Sequence, residues 1–302
     1  MSTSAVSSSS SSSSERGVVG GAPGYRPGAT LSLWTEIRRQ AARRRTQMAL
    51  GFMVLLPLII LIAFQLDSGG DDEGGNNGEF SRLADLATGG GANFTLFTLL
   101  VSSGFLLVVV VALFCGDTVA SEASWGSLRY LLAMPVPRAR LLGVKVTAAL
   151  LYCLLAVLVL VGTAMLAGTL RYGWAPLNAP IGGEIAAGTS VVRLLEIVGY
   201  LCVSLLVVAS LAFLLSVSTD APLGAVGGAV LLQILSSILD QITALGNLRN
   251  FLPTHYNDAW LGLLSTPLQT DDIVKGCIAS LAYATVFFSL AWWRFLRKDV
   301  VS

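Results

Sequence analysis

The run MALGFMVLLPLIILIAFQL at residues 48–66 contains no Asp, Glu, Lys or Arg. At ~1.5 Å rise per residue, a helix of that length matches the ~30 Å hydrocarbon layer of a bilayer. Five more charge-free runs follow at 94–114, 146–166, 197–217, 221–239 and 276–293. Together they predict an all-α polytopic membrane protein with six transmembrane helices. The whole composition agrees: 54% of the 302 residues are hydrophobic and 12% charged, too little polar surface for a soluble domain.

Net charge is only +1, but its distribution is uneven. Seven Arg precede the first run: Arg16, Arg26, Arg38, Arg39, Arg43, Arg44 and Arg45. Arg129, Arg138, Arg140 and Lys145 lie between the second and third, and Arg294, Arg297 and Lys298 follow the last. Six crossings put all of these on one side, leaving Arg82, Arg171, Arg193, Arg249 and Lys275 on the other. The positive-inside bias then places both termini in the cytoplasm of a multi-pass plasma-membrane protein.

Residues 1–30, with an unbroken serine run at 7–14, have the composition of a disordered tail. Residues 67–92, rich in Gly, Asp and Asn, read as a flexible outer loop. Between 31 and 47, Trp34, Ile37 and Ala41 recur at helical spacing, Arg39 and Arg43 lie opposite them, and Arg38 flanks the stripe. That pattern predicts an amphipathic helix lying in the cytoplasmic interface with Trp34 and Ile37 toward lipid. The segment 240–272 is too apolar for an ordinary loop and is broken at Pro253. It reads as two short helices that enter the outer leaflet and return.

Several chemistries find no residues to carry them. The single histidine, His255, precludes paired-His metal sites, and its place after Pro253 suits a capping or interfacial role. The four cysteines, at 115, 153, 202 and 277, have no ligand-like spacing and read as small buried hydrophobes. No catalytic cluster and no metal site is expected. A phosphate-binding G-x-x-x-x-G-K-[ST] is absent. The span centres lack ionisable groups, which argues against an ion-coupled secondary transporter. A membrane-embedded enzyme would need ionisable side chains clustered near one face.

What remains is the loop 117–138 between the second and third runs. Trp125, Leu128 and Leu132 share a helical face there, and Pro135 and Pro137 end the pattern before Arg138. An aromatic and leucines beside charges suit docking against another protein.

This loop resembles that of permease subunits of type-2 (ABC-2) ATP-binding-cassette transporters. The pattern E-x-x-x-G-[ST]-L-x-x-L-L-x-x-P-x-x-R is carried by Glu122, Gly126, Ser127, Leu128, Leu131, Leu132, Pro135 and Arg138, with Lys145 opening the third span. Six spans, the preceding amphipathic helix and Leu252-Pro253 before the last span also fit, so the likeness covers residues 31–302 as one permease domain. The serine-rich start and long first outer loop are departures that the family does not require. The resemblance implies a chain without its own nucleotide site, paired with a cytosolic ATPase that binds ATP and Mg, and with a second permease copy or paralogue. It implies that the helix around 122–132, including Trp125, is the coupling helix, and that an amphiphilic or hydrophobic substrate is exported. It calls for membrane lipid and no nucleic acid. Small residues suggest where two permeases meet: Thr95, Thr98, Ser102 and Gly104 on the second span, and Gly224 and Gly228 on the fifth.

Overall fold

The computed structural model describes residues 32–67, 86–126, 137–179, 183–265 and 267–297. The serine-rich tail, most of the first outer loop, and Ser127, Leu128, Leu131, Leu132 and Pro135 lie outside them. Among the described residues, eight α-helices run α1 Leu33–Ala41, α2 Arg44–Asp67, α3 Gly91–Ser103, α4 Leu106–Ser124, α5 Arg138–Tyr172, α6 Ala187–Ser218, α7 Pro222–Asp240 and α8 Asp271–Arg297. All but α1 and α3 are long and apolar enough to cross a membrane, giving six crossings. The chain is therefore a multi-pass, all-α membrane protein.

Its outer surface is what a lipid environment requires. Ile59 and Ile62 of α2, Leu154 and Leu158 of α5, Leu231 and Leu235 of α7 and Ile278 and Leu281 of α8 are exposed. Hydroxyls within the helices bond back to carbonyls one turn earlier, as Thr118 to Phe114 (2.5 Å), Ser218 to Leu214 (2.7 Å) and Thr285 to Leu281 (2.7 Å). No water is needed to satisfy them.

The second apolar run is not one helix, as its length suggests, but two. It breaks at Gly104 and Phe105, where Phe105 leaves the helical region (φ −135°, ψ −55°). The cause is local. Ser102 and Ser103 turn their hydroxyls onto the carbonyls of Thr98 and Leu100, competing with the backbone ladder, and Gly104 follows. Serine–glycine steps are where such ladders bend. The 13 residues of α3 are too few to cross alone, and the crossing shifts toward α4. As a result α4 continues to Ser124, so residues 117–124, expected in a loop, are its last two turns.

Helices α5 and α6, of 35 and 32 residues, are longer than the hydrocarbon layer demands. Near the junction of the two, β1 Leu177–Ala179 and β2 Gly183–Ile185 form an antiparallel ribbon with Leu177 opposite Ile185. Asn93 ties it to α3, donating to the Pro176 carbonyl (3.0 Å) and accepting from the Asn178 N–H (2.7 Å). After α7, two 3-10 segments, Thr243–Phe251 and Ala259–Leu264, fold back on the bundle, and Trp260 is fully buried. The hydroxyls of Ser236 and Thr254 meet at 2.8 Å, and Tyr200 donates to the Tyr256 carbonyl. His255 closes this loop onto α7 through Asp240, 2.7 Å from its Nδ1. Cys115 and Cys153 are free thiols with sulfurs 3.8 Å apart in the core.

Helices also approach closely at Gly116 of α4. A Cβ there would lie 2.9 Å from Val226 Cγ2 and 3.2 Å from the Val226 N, so α7 touches α4 backbone to backbone. Gly228 likewise faces Leu215 of α6. Substituting Gly116→Leu should push α7 away, costing about 1–3 kcal/mol of overpacking. The expected readout is a lower Tm of the purified protein in detergent, while Gly51→Leu, with open space at that position, leaves it unchanged.

Candidate functional site at the arginine-rich end

Where α1, the end of α4 and the start of α5 converge, charges are buried together. Lys145 of α5, 1% exposed, places Nζ 2.6 Å from Glu122 Oε1 and 3.5 Å from Glu36 Oε1. Arg39 of α1 reaches both carboxylates, bonding Glu122 and lying 3.0 Å from Glu36. These four side chains sum to zero charge. Beside them Asp117 accepts from Arg45 (2.6 Å) and Arg43 (3.2 Å), and Arg43 approaches the Ser121 hydroxyl at 3.4 Å. Thus residues from α1, the start of α2 and α4 are laced together, and α5 supplies the central ammonium. The Tyr152 hydroxyl adds a bond to the Ile37 carbonyl (2.7 Å) that lays α1 across α5.

Burial by itself would raise the Glu36 carboxyl, but Lys145 and Arg39 hold it below its ordinary value. Burial likewise opposes the Arg39 charge, and Glu122 and Glu36 more than offset it, raising the guanidinium further. Helix geometry works against this arrangement. Glu122 is in the last turn of α4, the negative end of its dipole, and Lys145 lies near the positive end of α5. Each charge is tolerable only because the other is there.

The amphipathic helix is present. Glu36 and Gln40 point inward, while Trp34 is 70% exposed on the outer side and Ile37 is half-buried. Buried carboxylate partners fix the side that turns in. Arg38 is exposed, whereas Arg39 and Arg43 are engaged with α4.

The expected coupling helix also differs. Glu122 is buried in α4, and Trp125, 81% exposed, caps that helix. Gly126 adopts φ +68°, a left-handed conformation that terminates it, and Ser127, Leu128, Leu131, Leu132 and Pro135 lie outside the described residues. Arg138 begins α5 and reaches toward the Leu296 carbonyl of α8 (3.5 Å). A cavity of about 510 Å³ opens beside Trp125, lined by Arg39, Arg43, Arg44, Arg45, Asp117 and Glu122.

Of the expected permease contacts, Thr95, Thr98 and Ser102 are fully buried within this chain, and Gly228 packs on α6. They face no second copy, because α3 fills the space beside α5. Gly104 and Gly224 are at the surface. Glu36 and Asp117 were not singled out from the sequence. The signal available was their sign: carboxylates among the Arg-rich segments, at the end of an otherwise apolar span.

Two outcomes follow for this cluster. Lys145→Ala leaves two buried carboxylates short of a cation and should cost about 3–5 kcal/mol, whereas the pair Lys145→Met with Glu122→Leu recovers most of the loss. Thermal unfolding in detergent distinguishes them. Because the folded value of Glu36 is depressed, its contribution is complete above the ordinary carboxylate range and is lost as pH falls through that depressed value. The protection of α1 amides, corrected for the intrinsic pH dependence of exchange, should therefore fall in acid and be unchanged between neutral and mildly alkaline pH.

The uncharacterized protein YhcI of Bacillus subtilis (strain 168) is similar, with 27% identity covering 70% of this chain and 67% of its own length. A family profile matches residues 74–301, from before α3 to past α8. The chain belongs to that family, described as proteins of unknown function (DUF2705).

Proposed function

We propose that the chain is the transmembrane permease subunit of an ATP-driven transporter of the ABC-2 type, powered by a separate cytosolic ATPase. The observation that carries this reading is the buried charge cluster. It fastens α1, the end of α4 and the start of α5 into one unit, with Trp125 exposed beside it. A push delivered at that point reaches two spanning helices at once.

In this reading the arginine-rich end is cytoplasmic, both termini lie there, and the membrane is the plasma membrane. The ATPase binds ATP and Mg and seats on Trp125 and the segment that follows it. Two permeases and two ATPases form the working unit. Closure of the ATPases tilts α4 and α5 together, opening a path along the permease–permease contact for an amphiphilic or hydrophobic molecule to leave the cell. Glu122 acts as a positioning residue for this unit.

The test separates Trp125, which is exposed, from Glu122, whose loss would disturb folding. Tagged protein purified from its native membranes should bring a P-loop ATPase with it. Trp125→Ala should weaken that association by about 2 kcal/mol, roughly thirtyfold in affinity, with Tm unchanged. A chain that transports in vesicles with no nucleotide-hydrolysing companion would remove the proposal.

A further inference from the structure

At the opposite end of the bundle, the α3–α4 break, α6, α7 and the loop carrying His255 enclose a polar cavity of about 150 Å³. Gln233 of α7 lies two turns before that helix ends and is only 7% exposed. Its backbone carbonyl accepts the Ser237 hydroxyl at 3.1 Å. Its side-chain amide lines the cavity and has no hydrogen-bond partner among the described residues. An amide left so within a spanning helix is costly unless something in the cavity answers it.

Charge at the same place is also unbalanced. Asp240 Oδ1 takes His255 Nδ1 at 2.7 Å and faces Arg249 Nε at 3.5 Å. Asp258, at the cavity rim, has no cation within ion-pair distance among the described residues. Asp240 is thus met by Arg249 and His255, while Asp258 is met by no cation among the described residues. Burial, and then the Asp240 charge, push the Asp258 carboxyl above its ordinary value. Ser204 and Asn257 are bonded to each other at 3.2 Å across the wall. Leu107 and Leu205 complete it with apolar surface.

The volume equals that of about five water molecules at ~30 Å³ each, room for an ammonium head and a short alkyl part. Among the described residues, no three metal-ligating side chains converge. A primary ammonium has three N–H donors and one positive charge, matching three acceptor oxygens and the missing charge. We propose that this cavity binds a protonated primary amine, whose N–H groups are received by the Gln233 side-chain carbonyl and by the two oxygens of the Asp258 carboxylate, with its alkyl part against Leu107 and Leu205. The site lies within one chain and needs neither a second copy nor an ATPase, so it goes beyond the transport reading and is tested apart from it.

The experiment is calorimetric titration of the purified full chain, in neutral detergent at neutral pH, with hexylammonium and with hexanol. Hexylammonium should bind saturably, and hexanol at least about tenfold more weakly. Asp258→Asn and Gln233→Leu should each weaken hexylammonium about tenfold, as loss of a charged hydrogen bond does. Gln233→Glu, which keeps the size and adds a charge, should tighten it. Asp240→Asn is a poor probe because it also frees His255 and Arg249. Equal affinity for hexanol, no saturable hexylammonium binding, or an affinity unmoved by Asp258→Asn and Gln233→Glu would overturn the assignment.

Discussion

Three buried charges, on Glu36, Glu122 and Lys145, cancelled by a more exposed fourth on Arg39, decide how the arginine-rich end is built. None of them could be placed there alone, since an isolated charge out of water costs several kcal/mol. The short helix α1 has few apolar contacts to offer and would lie anywhere on the interface by amphipathicity alone. The need of Lys145 for two carboxylates, one on α1 and one on α4, gives it a single position. Close van der Waals packing supplies the cohesion of the bundle, and this quartet supplies its register. The adjoining Asp117 with Arg43 and Arg45 extends the same principle to the start of α2.

How far the sequence reveals this follows from the range of each interaction. The crossings were legible because a charge-free run of about 20 residues has few other uses. Helix α1 was legible as a helix from the spacing of Trp34, Ile37 and Ala41. The polar docking of its inner face was not, because the partner of Glu36 lies more than a hundred residues away at Lys145. The pattern that linked Glu122 to Lys145 brought forward two residues that do meet, at 2.6 Å, though as a buried pair and not on an exposed helix. The break at Gly104 was written locally in Ser102-Ser103-Gly104, but continuous hydrophobicity across it masked the signal. Small residues read as a contact between two copies proved to serve this chain itself, at Gly228 and in the buried hydroxyls of α3. In lipid, a close-packing stripe does not say whose helix it receives.

The two ends of the bundle treat polar groups in opposite ways. At one, charges are matched within the protein and rigidify it. At the other, helix breakage at Gly104 and the 3-10 loop after α7 leave irregular backbone beside a polar hollow. Irregular structure at that depth persists only where protein or water lies against it. The loop meets that condition through Trp260, buried entirely, and through hydroxyls such as Thr254 that bond to Ser236.

Helix α5 joins these ends without interruption. Its 35 residues make a rod about 52 Å long at ~1.5 Å per residue. Anchored near its first turns by Lys145 and carrying the ribbon-bearing segment at its far end, it could carry a tilt at one end to the other. Rotation of such a rod by about 5° about one end sweeps the other through ~4–5 Å, nearly one helical pitch. The broken path through α3 and α4, by contrast, can yield at its joint, so motion entering both helices together would reach the distant face through one of them alone.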